Sequence, residues 1–137
     1  MKRMTRRTYC ALLAGISLLP WGAATGSPHH SVAAEFDENS PIEFTGTVKQ
    51  VEWVNPHGYM QVEVTNDDGT TSIYRVQIGA PVSLYRQGWR KESVPPGTLV
   101  SFEGIRARSP DSRNVNGTVR GPDGDELWRG EAPGGTP

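Results

Sequence analysis

The chain has 137 residues, of which 35% are hydrophobic and 8% aromatic, which suits one domain with a modest core and leaves little room for two. Its 16 Gly and 11 Pro favour many short turns over long helices. Four of the 14 basic residues and none of the 15 acidic ones precede residue 27, leaving ten against fifteen, a net charge of −5 with His neutral. A mildly acidic domain lacks the phosphate attraction on which nucleic-acid binding relies, so no nucleic-acid partner is expected.

Residues 1–26 predict an export signal peptide. Lys2, Arg3, Arg6 and Arg7 form a basic start, residues 11–20 are apolar, and small residues follow from Gly22 to Gly26. The apolar run is too short to span a bilayer. Arg6-Arg7 also fits a twin-arginine signal, with ordinary secretion as the alternative. Cys10, the only Cys, precedes the apolar run, whereas a lipidated Cys should follow it. A chain processed here is expected in the periplasm or secreted, with no disulfide or thiolate metal site. No other stretch predicts a transmembrane helix.

Residues 27–41 read as an N-terminal arm, punctuated by Pro28, Asn39, Ser40 and Pro41, with one helical turn at residues 33–36. The folded domain is expected over residues 42–130. Its first strand covers residues 42–54. Ile42, Phe44 and Val48 share one parity and Val51 and Trp53 the other, which predicts a bulge inside the strand. Asn55-Pro56-His57-Gly58 is a turn signal. Met60, Val62 and Val64 alternate as a second strand, Asp68-Gly69 closes a hairpin, and Tyr74, Val76 and Ile78 alternate as a third. Residues 80–87 are the best helix candidate. Pro81 suits the first turn, Leu84 and Tyr85 are expected to face the core, and Gly88 suits the position after the cap. A fourth strand covers residues 99–107 with Val100 and Phe102 inward. Residues 114–120 and 126–129 form a closing hairpin around Pro122-Asp123-Gly124. Residues 131–137 are Gly/Pro-rich and read as a disordered tail.

The expected fold is therefore mostly β: a small, OB-like barrel of five to six strands with one short helix after the third. A β-sandwich would read almost the same.

Known catalytic motifs are missing from the chain: it has no His-Glu-x-x-His, no phosphate-binding Gly-rich loop and no Gly-x-Ser-x-Gly. The candidate metal ligands are His29, His30 and His57, because imidazole is the commonest protein ligand for copper, zinc and nickel. Adjacent His residues in an extended arm point in opposite directions, so one metal would take one of the pair. Glu35 or Asp37 can add a carboxylate. The alternative is a polar arm and a turn His that only hydrogen-bonds backbone. Trp53, Asn55, Tyr59 and Trp89 are candidates for a ligand face, since the first inter-strand loop of an OB-like barrel flanks its usual binding face. Core or cover is the alternative for these aromatics and for Trp128. Arg106, Arg108, Arg113 and Arg120 are read as a local basic patch or a solvated face.

His29-His30-Ser31, Ala34-Glu35-Phe36-Asp37, Gly46-Thr47-Val48, Val51-Glu52-Trp53 and Asn55-Pro56-His57 resemble the pattern of a family of small exported bacterial proteins known only as a domain of unknown function. Gly88-Trp89, Pro96-Gly97 and Pro122-Asp123-Gly124 fit it too. The resemblance covers nearly the whole chain after residue 26 and implies export and one compact β domain. It also implies a mature start at the His pair, where the amine and ring of an N-terminal His29 would bind copper with His57. This chain departs from that pattern, because Ser27-Pro28 precedes His29.

The expected function is a non-enzymatic binding or accessory module of the cell envelope, with a transition metal, copper first, or another small ligand. A structural or interaction module with an envelope partner and no metal is the second reading. A hydrolase with a spatially assembled site is the third.

Overall fold

The structure is a computed structural model that describes residues 32–130. The expected leader, His29, His30 and the expected tail lie outside the described residues. In chain order the elements are α1 (Val32–Glu35), β1 (Phe36–Glu52), β2 (Tyr59–Thr65), β3 (Thr71–Gln77), α2 (Pro81–Arg86), β4 (Leu99–Ala107), β5 (Asn114–Arg120) and β6 (Glu126–Arg129). The fold is mostly β. The six strands form one sheet in the order β3-β2-β1-β4-β5-β6, with every neighbouring pair antiparallel. β3 also meets β5 in parallel, through Arg75↔Asn114 and Val76↔Val115. Among the described residues, no helix is long and apolar enough to cross a membrane.

Alternation along the strands builds the core. Met60, Val62 and Val64 of β2 are buried while Gln61 and Glu63 between them are only half-buried. Val48, Val76, Val100, Phe102, Val115 and Val119 join them from the other strands. Burial of such side chains is the main stabilising term, at about 1.5–3 kcal/mol each. β1 spans the sheet because it bends. Its register against β2 shifts between Val48 and Gln50, where the parity of its apolar residues changes. β4 and β5 approach closely at the paired Gly104 and Gly117. A Cβ on Gly117 would lie 2.2 Å from the Glu103 carbonyl oxygen, so this crossing tolerates no side chain.

Two expectations differ in detail. The first strand begins at Phe36, not at residue 42, and it ends at Glu52. Its early part contains a second register shift, between Asp37 and Pro41, where the Asn39 N–H donates to Asp37 Oδ1 at 3.1 Å. Pro41 has no N–H to give a ladder, and the shift breaks alternation, so periodicity alone reads the segment as an arm. Yet Phe36 pairs with Ala107 and is fully buried. The second difference is Tyr85. Successive helical residues point about 100° apart, so a helix of one and a half turns directs one of Leu84 and Tyr85 inward. Leu84 is the buried one, and Tyr85 is 46% exposed with its ring against Trp53 at 5.2 Å. The helix stops as its sequence suggests: Gly88 has φ of +91°, and the Gly88 and Trp89 N–H groups donate to the Tyr85 and Leu84 carbonyls at 3.1 and 2.9 Å.

Candidate functional site: a cleft beside the β3–β5 contact

The parallel β3–β5 contact lasts for two residue pairs. Beyond it β3 leads into α2, while β5 stays paired with β6. A cleft of about 800 Å³ lies there. One wall is Gln77 to Ala80, the opposite wall Asn116 with Glu126 to Gly130, and α1 adds Val32 and Glu35.

The turn before β2 supplies Pro56, His57 and Tyr59. Backbone bonds fix it beside α2: the Gly58 N–H donates to the Gly79 carbonyl at 3.1 Å, and the Ile78 N–H to the Gly58 carbonyl at 2.9 Å. Space is tight, since a Cβ on Gly58 would stand 2.9 Å from the Glu52 carbonyl oxygen. His57 is half-buried on this wall.

A polar network backs Tyr59. The Arg75 guanidinium lies 4.0 Å from the Tyr59 ring centroid, donates to Glu52 Oε2 at 2.7 Å and reaches Asn114 Oδ1 at 3.3 Å. Gln61 donates its amide to the other Glu52 oxygen. The Arg75 hydrogen bond holds the Glu52 carboxyl below its ordinary range, against the opposing effect of burial and with help from Gln61. Burial pushes the Tyr59 phenol up, and the Glu35 charge adds to this. Three bonds tie α1 to Asn114 of β5 and to Arg108, just after β4. Asn114 Nδ2 donates to Glu35 Oε1 at 3.4 Å, the Arg108 N–H to the Glu35 carbonyl at 2.9 Å, and Arg108 Nε to the Ala33 carbonyl at 2.9 Å.

Two buried polar atoms of cleft-lining residues have no hydrogen-bond partner among the described residues: Gln77 Oε1, in a residue only 8% exposed, and Trp128 Nε1. Such groups are rare in folded proteins, because each forfeits its bonds to water. Trp128 also meets Trp89 edge-on at 6.1 Å and packs against Gly79, where a Cβ would stand 3.0 Å from the indole. Of the charged residues on the walls, Glu126 and Arg129 pair with each other, and Glu35 has no ion pair among the described residues.

The expected site residues divide. His57 and Tyr59 lie on the cleft walls. Asn55 is exposed in the turn. Trp53 packs on Tyr85, and Trp89 stands behind Trp128; neither lines the cleft. Of the two candidate carboxylates, Glu35 lines the cleft, while Asp37 faces Arg108 at 3.9 Å. The four arginines do not converge. Arg106 and Arg113 flank Tyr74 at 6.0 and 5.9 Å, Arg108 faces Asp37, and Arg120 lines a smaller groove with Glu43 and Glu103. Among the described residues, no group of three or more His, Cys, Asp or Glu is placed to hold a metal ion. Sequence reasoning missed Gln77 and Asn116. Both are polar residues on strands, and nothing local marks them as covered.

The comparison with known families is decisive on one point. A family model matches residues 18–118. The chain belongs to DUF6152, a family of unknown function. No curated protein and no solved structure matches it. The stretch matched by DUF6152 takes in α1 to nearly all of β5, including His57, Gln77 and Asn116, and stops before β6. The match therefore takes in the lining residues as far as Asn116, and Glu126 to Gly130 lie beyond it.

Proposed function

We propose that this DUF6152 chain is an exported, non-enzymatic binding module of the cell envelope, with an OB-like barrel and its ligand in the cleft beside the β3–β5 contact. The residue pattern of positions 1–26 supports export. The circuit of pairings β1-β2-β3-β5-β4, with β3 and β5 parallel and α2 between β3 and β4, supports the OB-like reading.

The sharpest version of the ligand is a transition metal, copper first. One observation carries it: His57 and Val32 line the same cleft. His29 and His30 stand three and two positions before Val32, so chain length alone allows them within roughly 11 and 7 Å of its Cα. Imidazole from the arm, His57 and the Glu35 carboxylate would suit copper. Titration calorimetry of Cu(II) into the exported protein tests this. His57→Ala and His29→Ala are each expected to weaken binding by at least about tenfold, the scale on which even outer-sphere partners of metal ligands act. Binding that is weak and indifferent to both changes would rule the metal out.

The exposed side chains of Val54, Val82 and Tyr85 favour a second reading, an interaction module for an envelope protein. A partner captured from the envelope without metal, and lost on Val82→Asp, would support it.

A further inference from the structure

The cleft has an unusual lining. Five consecutive residues, Glu126 to Gly130, face it, and so do four more, Gln77 to Ala80. Successive side chains of a strand point to opposite faces, so a cleft lying on one face would take every second residue. All four residues of β6, Glu126–Arg129, line the cleft, which fits a cleft running along the edge of that strand. Among the described residues β6 pairs only with β5, and it ends the strand order of the sheet. Its other edge is a row of backbone donors and acceptors without ladder partners.

We infer that this cleft takes an extended peptide segment of a partner protein, neutral or basic, which adds as a strand along the free edge of β6. The inference rests on the cleft being the binding site and not on the metal. Backbone addition of this kind draws affinity from main-chain hydrogen bonds. The two atoms without a partner among the described residues fit the same ligand: a peptide unit offers an N–H to Gln77 Oε1 and a carbonyl oxygen to Trp128 Nε1, once the buried side chains turn toward the cleft that their residues line. Charge selects further. Glu126 is neutralised by Arg129, and Glu35 remains, which disfavours an acidic segment and welcomes a lysine or arginine.

The test uses the exported protein with metal removed by a chelator, and an acetylated, amidated five-residue peptide of alternating threonine and valine with a central lysine. Nuclear magnetic resonance follows the amides of β6 and the Trp128 indole N–H. The peptide is expected to shift both sets of signals. The same peptide methylated on every backbone nitrogen should bind at least about tenfold more weakly, because neither edge of its strand keeps a main-chain donor. Gln77→Met and Trp128→Phe should each weaken binding several-fold. No shift at millimolar peptide, or equal binding of the methylated form, would overturn the proposal even if Trp128→Phe fails to fold. β6 amides that already resist hydrogen exchange without peptide would also overturn it, since the chain itself would then cover that edge. A failed copper titration with a positive peptide result leaves this inference standing, and separates the two.

Discussion

Glu52 carries a pH signature that belongs to one residue. Its folded pKa lies below the ordinary 4.5 because Arg75 and Gln61 donate to its carboxylate. A depressed carboxyl stabilises the fold above its unfolded pKa and loses that contribution as pH falls through the folded value. Wild type should therefore exceed Glu52→Gln in stability by about 1 kcal/mol near neutral pH, a figure kept small because Arg75 is more than a third exposed. Urea unfolding should find that gap closing below about pH 4, and a gap independent of pH would contradict the assignment. Glycines make a second contrast. Gly117→Ala forces a Cβ into backbone 2.2 Å away and should cost roughly 3 kcal/mol or prevent folding. Gly69→Ala meets open space and only a φ of +81°, and should cost about 1 kcal/mol. Thermal melts of the two would reverse the account if Gly69→Ala were the worse. Legibility at this scale was uneven. Asp68-Gly69 and His57 stand out in the sequence as turn residues. Gln77 does not, because it takes the solvent-facing parity of a strand and yet is buried.

Elements were legible wherever alternation is clean. β2, β3, β4 and the β5–β6 hairpin follow their apolar pattern, and Pro81 and Gly88 frame α2. The start of β1 was not legible, because the register shift between Asp37 and Pro41 breaks the period on which such a reading depends. The helix shows a similar limit: periodicity over six residues cannot separate Leu84 from Tyr85, whereas the packing does. Leu84→Ala should cost about 3 kcal/mol through its cavity, and Tyr85→Ala less than about 1 kcal/mol. Denaturant midpoints would show the difference, and equal losses would mean that α2 does not dock by Leu84.

For the whole molecule, the decisive feature is the one that local sequence cannot encode. The β3–β5 contact joins Arg75 to Asn114 across 39 positions, and the cleft exists because this contact is so short. Strand count and helix order were readable, but the side on which the strands part was not, so His57 was legible as a candidate and its surroundings were not. The contact brings His57, Tyr59, Gln77 and Trp128 to one cavity and turns a turn histidine into a wall residue. Paramagnetic broadening by Cu(II) tests the central claim most directly. On adding substoichiometric Cu(II) to the ¹⁵N-labelled protein, the signals of Gly58, Tyr59, Gly79 and the Trp128 indole N–H should broaden first. Broadening centred instead on the acidic turns at Asp67-Asp68 or Asp123, or no localised broadening at all, would contradict a metal in this cleft.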